Sequence, residues 1–142
     1  MTISAILANR PADVFTASPH ESVGEVVARL AEHRIGALPV IDGSSVLGIF
    51  SERDIVYGIA RHGAAFLTKT VADTMTAPAI TVAPDTAIMS ALSLMTKRRI
   101  RHLPVIEEGG LIGFVSIGDL VKHRIEKIES EAAAMREYIS MA

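Results

Sequence analysis

The hydrophobic positions of the chain follow two patterns, and each pattern predicts one kind of element. From residue 23 to residue 30, apolar side chains recur at i, i+3, i+4 and i+7, the spacing of a helix with one buried face. Residues 38–41 and 46–50 are short continuous apolar runs, separated by the turn-forming residues 42–45. Such a pair of runs predicts a β-hairpin. This part of the chain is therefore expected to fold as a helix followed by a hairpin.

A second helix is expected straight after the hairpin, from Ser51 to about residue 61. Its apolar residues Ile55, Val56 and Ile59 are predicted to face the core. Gly63 lies just beyond the predicted end, where glycine commonly terminates a helix because it adopts left-handed backbone angles without strain.

The same order of elements returns 65 residues later. When residues 14–56 are compared without gaps to residues 79–121, twelve positions are identical, whereas ordinary composition would give about three. The shared residues of the first copy are Thr16, Pro19, Arg34, Ile35, Leu38, Pro39, Val40, Ile41, Gly48, Ser51, Asp54 and Val56. The chain is therefore a tandem duplication of one small unit.

Each unit is predicted to have the order β-α-β-β-α, which places the chain in the α/β (α+β) class. The first strands are expected at residues 14–16 and 79–81, and the second hairpin at residues 102–107 and 111–116. A short helix at residues 3–7 is expected to end ahead of Pro11. We expect repeat 1 at residues 1–66, repeat 2 at residues 67–125 and a helical extension at residues 126–142.

The last helix continues well beyond its counterpart in the first unit. An apolar stripe with heptad-like spacing runs along it, formed by Val121, Ile125, Ile128, Ala132, Met135 and Ile139. Two interpretations stay open. The stripe docks on a second subunit, which predicts a homodimer and is the favoured interpretation, or it folds back on the core of its own chain.

Composition narrows the class of protein. Fourteen basic and sixteen acidic residues give a formal net charge of −2, which argues against a nucleic-acid binder. No apolar run is long enough to cross a membrane, and residues 1–4 do not open a signal peptide. The chain has no cysteine, so disulfides and thiol ligands are excluded and a cytoplasmic location is expected.

The sequence offers no pattern typical of an enzyme. No carboxylate pair is spaced for acid–base work, and no Ser-His-Asp order stands out. The five histidines, at positions 20, 33, 62, 102 and 123, lack the i, i+4 spacing of a helical metal site. We therefore expect no catalysis, no metal and no catalytic cofactor.

One motif does carry chemistry: Gly-x-x-Ser-x-x-Asp occurs at residues 48–54 and again at 113–119. The glycine permits close approach of a ligand, the serine lies at a helix N-terminus that favours anions, and the aspartate can accept two hydroxyl groups such as those of a ribose. A single copy is explained as well by simple helix capping. Two copies in one frame favour the ligand-binding interpretation.

These residues give the chain a resemblance to a tandem pair of cystathionine-β-synthase (CBS) domains, known as a Bateman module. The resemblance covers about residues 3–124. It depends on Leu-Pro-Val-Ile at 38–41 and 103–106, the two Gly-x-x-Ser-x-x-Asp motifs, Thr-x-x-Pro at 16–19 and 81–84, and residues 71–76. It implies a disc of two units packed pseudo-symmetrically through their sheets, with two clefts that accept adenosine nucleotides.

The resemblance also implies roles for individual residues. The two motif aspartates would bind ribose, and the motif serines, with Thr16 and Thr81, would contact ribose or phosphate. Adenine would lie against the first strand of a unit and the edge of the Leu-Pro-Val strand, and the positions just before Leu-Pro-Val often hold phosphate. The expected nucleotide-binding residues are Thr16, Ala37, Ser51, Arg53, Asp54, Ala79, Ile80, Thr81, Ile100, Arg101, His102, Pro104, Ser116 and Asp119.

The two copies differ at the positions expected to meet phosphate. Repeat 2 has Arg101 and His102 where repeat 1 has glycine and alanine, and repeat 1 has Arg53 where repeat 2 has Gly118. Phosphate is therefore expected to be met asymmetrically, with at least one cleft occupied. Simpler explanations remain open, because Arg101 also suits a solvated strand end and His102 a core position.

The function expected from this resemblance is that of a stand-alone regulatory, signal-transduction module that senses cellular energy. Its ligand would be AMP or ATP, with NAD as a third option because NAD presents the same adenosine end. The effector would be a separate, unknown protein. The alternative is a structural dimerisation module whose clefts are vestigial.

Overall fold

The computed structural model describes residues 1–9 and 13–141. Pro11, ahead of which the first helix was expected to end, lies outside the described residues. The helices are α1 (Ile3–Leu7), α2 (Val23–His33), α3 (Glu52–His62), α4 (Val71–Thr74), α5 (Ile88–Arg98) and α6 (Ile117–Met141), and a 3₁₀ turn spans Gly63–Thr68. The strands are β1 (Ala37–Asp42), β2 (Ser45–Ser51), β3 (His102–Glu107) and β4 (Gly110–Ser116). The mixed α/β class and the long C-terminal helix are confirmed.

The two hairpins are copies of each other in register as well as in sequence. β1 pairs antiparallel with β2, and β3 pairs antiparallel with β4. In both hairpins the register shifts directly after the valine of the Leu-Pro-Val motif, at Val40 and at Val105. The two small sheets contact each other through β2 and β4. The structure thus confirms two similar units that meet through their sheets.

The prediction of a regular first strand in each unit is wrong. Repeat 1 forms one parallel bridge there, between Ala17 and Val40, and repeat 2 forms one between Val82 and Val105. In a parallel ladder the next bond would need a backbone N–H from Pro39 or Pro104, and proline has none. Each segment therefore runs beside its hairpin and makes only one bridge in the described chain.

Each unit has its own apolar core, built where a helix packs on a hairpin. In repeat 1 the core includes Val26, Leu38 and Phe50, and in repeat 2 it includes Met95 and Leu103. All five side chains are almost fully buried. Burial of such side chains contributes about 1.5–3 kcal/mol each relative to exposure, so the two cores dominate the stability of the fold.

The short helices at the start of the two repeats are exchanged between the units. Ile3 of α1 is buried in the core of repeat 2, and its backbone N–H donates to the carbonyl of Thr86 over 2.9 Å. Val71 of α4 is buried in the core of repeat 1, and the turn before α4 is bridged to Ser22. The chain between α4 and the second unit must therefore cross from one unit to the other.

Helix α3 does not bury the face that its sequence predicts. Ile55 packs against the core, but Val56 is 62% exposed and Ile59 is 43% exposed. The buried residue is Gly58, because the ring of Phe66 from the 3₁₀ turn lies against it. The expectation for Val56 and Ile59 was wrong, because the face of α3 that the connector covers carries Gly58 and leaves these two side chains exposed.

Helix α6 leaves the body of the protein. Its 25 residues make a rod ~37 Å long at 1.5 Å per residue, and Leu120 is its buried residue. The apolar stripe is exposed, from 42% at Val121 to 65% at Ile139. The interpretation that the stripe folds back on its own core is therefore wrong. Among the described residues, no helix has the length and apolarity needed to span a membrane.

Candidate functional site

The site is built around the point where β2 becomes α3. Ser51 is the N-cap residue of α3, in an extended conformation that points its side chain along the new helix. Its hydroxyl accepts a hydrogen bond from the backbone N–H of Asp54 at 3.4 Å, and its own backbone N–H donates to Asp54 Oδ2 at 2.9 Å. This reciprocal capping box fixes both side chains at the helix mouth.

The other carboxylate oxygen of Asp54 is engaged from outside repeat 1. Thr76 donates its hydroxyl to Asp54 Oδ1 at 2.9 Å. The backbone of Thr76 is held in place by two hydrogen bonds with Ile49, each of 2.9 Å. Gly48 makes this approach possible, because a Cβ there would lie 2.6 Å from the Thr76 carbonyl oxygen. The chain between α4 and the second unit, called the crossing segment below, therefore passes directly over the helix mouth of repeat 1 at Thr76.

Facing this mouth is the turn between α5 and β3 of repeat 2. Together the two units enclose a cleft of about 240 Å³. Its lining residues are Gly36, Ile49, Ser51, Glu52, Arg53, Asp54, Thr76, Pro78, Ala79, Ile80, Ile100, Arg101 and His102. An apolar wall thus stands opposite a polar mouth, which is the usual composition of a small-molecule site.

Eight of the residues expected from sequence line this cleft. They are Ser51, Arg53, Asp54, Ala79, Ile80, Ile100, Arg101 and His102. The expectation did not include five further lining residues, which are Gly36, Ile49, Glu52, Thr76 and Pro78. Thr76 lies in residues 71–76, one of the segments on which the resemblance described above is based, so the sequence did indicate that this residue matters.

The remaining six expected residues lie outside this cleft. Ser116 and Asp119 form the mouth of α6, where Ser116 N–H donates to Asp119 Oδ2 at 2.7 Å and Asp119 N–H to Ser116 Oγ at 3.1 Å. The position equivalent to Thr76 is residue 11, which lies outside the described residues. The second cleft is therefore described only in part.

The other four expected residues lie on the segments that frame the two clefts. Ala37 and Pro104 are buried on β1 and β3, the first strands of their hairpins, and Thr81 is exposed just ahead of the bridge at Val82. The carbonyl of Thr16 accepts a hydrogen bond of 3.0 Å from Arg29, which is also ion-paired with Glu21. The Arg29 guanidinium lowers the pKa of the Glu21 carboxyl through the hydrogen bonds that it donates to the two carboxylate oxygens.

His102 lies between the two helix mouths. Its ring stacks on Phe114 with ring centroids 5.4 Å apart and an angle of 9° between the planes. Burial lowers the pKa of His102, and the nearby Arg101 adds to the effect, although Asp119 and Glu52 oppose it. The imidazole is therefore largely neutral at pH 7.

Arg53 joins the two repeats directly. Its guanidinium Nη1 donates to the carbonyl oxygen of Arg99 at 3.1 Å. Arg99 ends α5 in a left-handed conformation, with φ of 54°, as its counterpart Arg34 ends α2 with φ of 53°. Because a guanidinium carries five N–H donors, Arg53 retains donors for a ligand while it holds the cleft walls together.

Comparison with known proteins agrees with this architecture. The sequence model of the CBS domain matches the chain twice, over residues 4–61 and 71–126. The chain belongs to the CBS-domain family and carries two CBS domains. Each match contains one hairpin and one Gly-x-x-Ser-x-x-Asp mouth, so the cleft described above lies between the two CBS domains.

Relatives of the CBS pair are similar over most of its length. A crystal structure of the CBS-domain containing protein ATU1752 from Agrobacterium tumefaciens superposes with a TM-score of 0.83 at 40% identity, and covers 87% of this chain and 99% of that one. The mitochondrial CBS domain-containing protein CBSX3 of Arabidopsis thaliana is 37% identical over 124 residues. That alignment spans 84% of this chain but only 60% of the relative's length.

Two solved CBS pairs were determined with adenosine compounds bound. The CBS domain pair of protein MJ0100 is in complex with 5′-methylthioadenosine and S-adenosyl-L-methionine, at 25% identity and a TM-score of 0.76, covering 86% of this chain and 98% of that one. CBSX2 is in complex with AMP, at 26% identity and a TM-score of 0.75, covering 88% and 96%. Adenosine compounds are thus ligands of related CBS pairs.

Proposed function

We propose that this CBS pair is a regulatory module without catalytic activity that binds an adenosine nucleotide in the cleft between its two repeats. The observation that carries the proposal is the convergence on one cleft of the Ser51–Asp54 helix mouth and the wall at residues 100–102. One side offers a hydroxyl, a carboxylate and backbone donors, and the other offers apolar side chains, a guanidinium and an imidazole.

The chemistry of the lining residues supports a place for each part of the ligand in this proposal. The ribose hydroxyls donate to Asp54, whose Oδ1 has a lone pair left beside the Thr76 hydroxyl. The adenine ring packs between Ile80 and Ile100, which supply an apolar surface. The 5′ substituent extends toward Arg101 and His102. AMP, ATP and NAD share the adenosine part, so all three are candidate ligands.

The exposed helix faces support a homodimer as the working assembly. The stripe on α6 presents apolar side chains at Ile125, Ile128 and Met135, each about half exposed or more. Large apolar side chains repeated along an isolated helix are typical of a surface that meets a partner. We propose that this stripe packs against a second copy of the chain. We also propose the division into repeat 1 at residues 1–66, repeat 2 at residues 67–125 and a helical extension at residues 126–142.

Regulation follows if the ligand prefers one arrangement of the two CBS domains. Because the crossing segment contacts the ligand cleft and both cores, ligand binding is expected to change the angle between the units. An effector protein, separate from this chain, would read that change. We also propose a location in the cytoplasm, because the sequence contains no cysteine.

Isothermal titration calorimetry with AMP, ATP and NAD tests the proposal. Asp54→Asn keeps the size of the side chain but weakens its acceptance of ribose hydroxyls, so we expect affinity for the bound nucleotide to fall at least about tenfold, which is about 1.4 kcal/mol. Asp73→Asn is the matched control, because Asp73 occupies the same third position of helix α4 behind the cap Thr70.

Heat with a nucleotide in the wild type, loss of it in the Asp54 variant and retention of it in the Asp73 variant support the proposal. No heat with any of the three compounds contradicts it. The exposed stripe favours one alternative, a structural dimerisation module with vestigial clefts. That alternative predicts a dimer by analytical ultracentrifugation together with the absence of binding heat.

A further inference from the structure

One carboxylate in the cleft has no part in the ribose site. Glu52 is the first residue of α3, and its backbone N–H donates to the carbonyl of Gly36 at 2.9 Å. Its carboxyl carbon lies 3.6 Å from the point where a Cβ on Gly36 would be, so the carboxylate lies against Gly36 at van der Waals distance. The cleft wall therefore carries the Glu52 carboxylate directly beside Gly36.

This carboxylate lies on the side of the cleft where a 5′ substituent would project. The negative charge of Glu52 acts on His102, and Glu52 lines the cleft together with Arg101. Asp54 is bound to the helix cap and to Thr76, and its remaining acceptor capacity is assigned to the ribose. Glu52 is thus the acidic group that faces whatever extends beyond the ribose.

The charges of the cleft do not favour several phosphates. Among the lining residues, two guanidinium groups are offset by the two carboxylates of Glu52 and Asp54, and burial keeps His102 neutral.

An acid at this position is not required for building the helix mouth. The equivalent residue of repeat 2 is Ile117, and α6 still begins with the same Ser116–Asp119 capping bonds. Glu52 is exposed. Helix capping alone therefore does not explain why this wall of the cleft carries a carboxylate.

Building on the proposed function, we propose that Glu52 selects the charge of the ligand in this cleft. The cleft takes adenosine compounds whose 5′ substituent carries one phosphate or none, and Glu52 disfavours di- and triphosphates by like-charge repulsion at short range. The ligand class is thus narrowed to adenosine monophosphates and uncharged adenosine thioethers.

The test is a calorimetric comparison of 5′-methylthioadenosine, AMP, ADP and ATP at fixed ionic strength, in EDTA and again with Mg²⁺. We expect the wild-type protein to bind AMP or 5′-methylthioadenosine at least about tenfold more tightly than ATP. Glu52→Gln should raise ATP affinity about tenfold and leave that of the uncharged 5′-methylthioadenosine within about twofold. Glu25→Gln, at an exposed acid in the first turn of α2, should change neither.

The possible failures are distinct. No binding of any adenosine compound overturns the proposed function itself. Binding of ATP as tight as that of AMP, with no gain in Glu52→Gln, overturns the role of Glu52 and leaves the adenosine site intact. ATP binding that requires Mg²⁺ and is lost in Glu52→Gln also overturns it, because Glu52 would then attract a cation bound to the phosphates.

Discussion

The helix mouths of the two repeats have the same capping residues but different surroundings. Ser51 with Asp54 and Ser116 with Asp119 make the same backbone bonds to within a few tenths of an ångström. Between serine and aspartate, however, repeat 1 carries Glu-Arg and repeat 2 carries Ile-Gly. Duplication thus preserved the geometry that presents a carboxylate, while the charge around it diverged.

A second difference between the repeats concerns the helix that follows each mouth. In α3 the ring of Phe66 packs against Gly58, where a Cβ would lie 2.1 Å from the ring. The equivalent residue in α6 is His123. The connector of repeat 1 therefore folds back over its helix, whereas α6 continues as an exposed rod. One unit ends compactly and the other is free to reach a partner.

The largest effect is expected from adding a side chain at Gly58, where the ring of Phe66 leaves no room for a Cβ. Gly58→Ala should destabilise the protein by about 3 kcal/mol, because the buried ring cannot move aside without strain. In a Phe66→Ala background the same change should cost nothing or stabilise slightly, since alanine favours a helix by about 1 kcal/mol over glycine. Urea unfolding of the two single variants and the double variant measures both values. Additive costs would contradict the proposed packing.

A smaller effect should distinguish the equivalent glycines of the two hairpins. A Cβ at Gly48 would lie 2.6 Å from the backbone oxygen of Thr76, whereas a Cβ at Gly113 would lie 2.6 Å from the end of the flexible Leu7 side chain. We expect Gly48→Ala to cost about 2–3 kcal/mol and Gly113→Ala about 1 kcal/mol. Equal destabilisation in urea would show that the crossing segment is not held as described.

The smallest effect concerns pH and belongs to repeat 2, because its His102 has the buried Ala37 as its counterpart. The pKa of His102 is lowered in the folded protein, mainly by burial, so the unfolded chain binds the proton more readily. Stability should therefore fall as the pH drops from 7 toward 5.

Urea midpoints at pH 7 and pH 5 test this expectation. His102→Gln should lose less stability over that range than the wild type, while His20→Gln, at an exposed turn, should behave like the wild type. An undiminished loss in the His102 variant would assign the pH dependence to other groups.

Much of the fold was predictable because the signals are local. Apolar runs around a turn defined both hairpins, and Gly63 marked the end of α3. The first strands were not predictable from β-propensity, because the missing N–H groups of Pro39 and Pro104 matter only once the partner strand is known. The exchange of α1 and α4 between the units was hidden for a similar reason: an apolar face does not specify which core it covers.

The candidate site was predictable where the duplicated motif reaches it. Ser51 and Asp54 follow from the motif, and Arg101 and His102 follow from their place before Leu-Pro-Val. Glu52 was not predicted as a lining residue, because first-turn acids are common at helix N-termini and only the fold places its carboxylate against Gly36 in the cleft wall.

The central claim is tested most directly by a crystal structure of this protein grown with AMP. We predict one adenylate in the cleft between the repeats, with ribose hydroxyls within about 3 Å of the Asp54 carboxylate and adenine between Ile80 and Ile100. Clear density for AMP elsewhere, or an empty cleft with the Thr76–Asp54 hydrogen bond unchanged at saturating AMP, would contradict it.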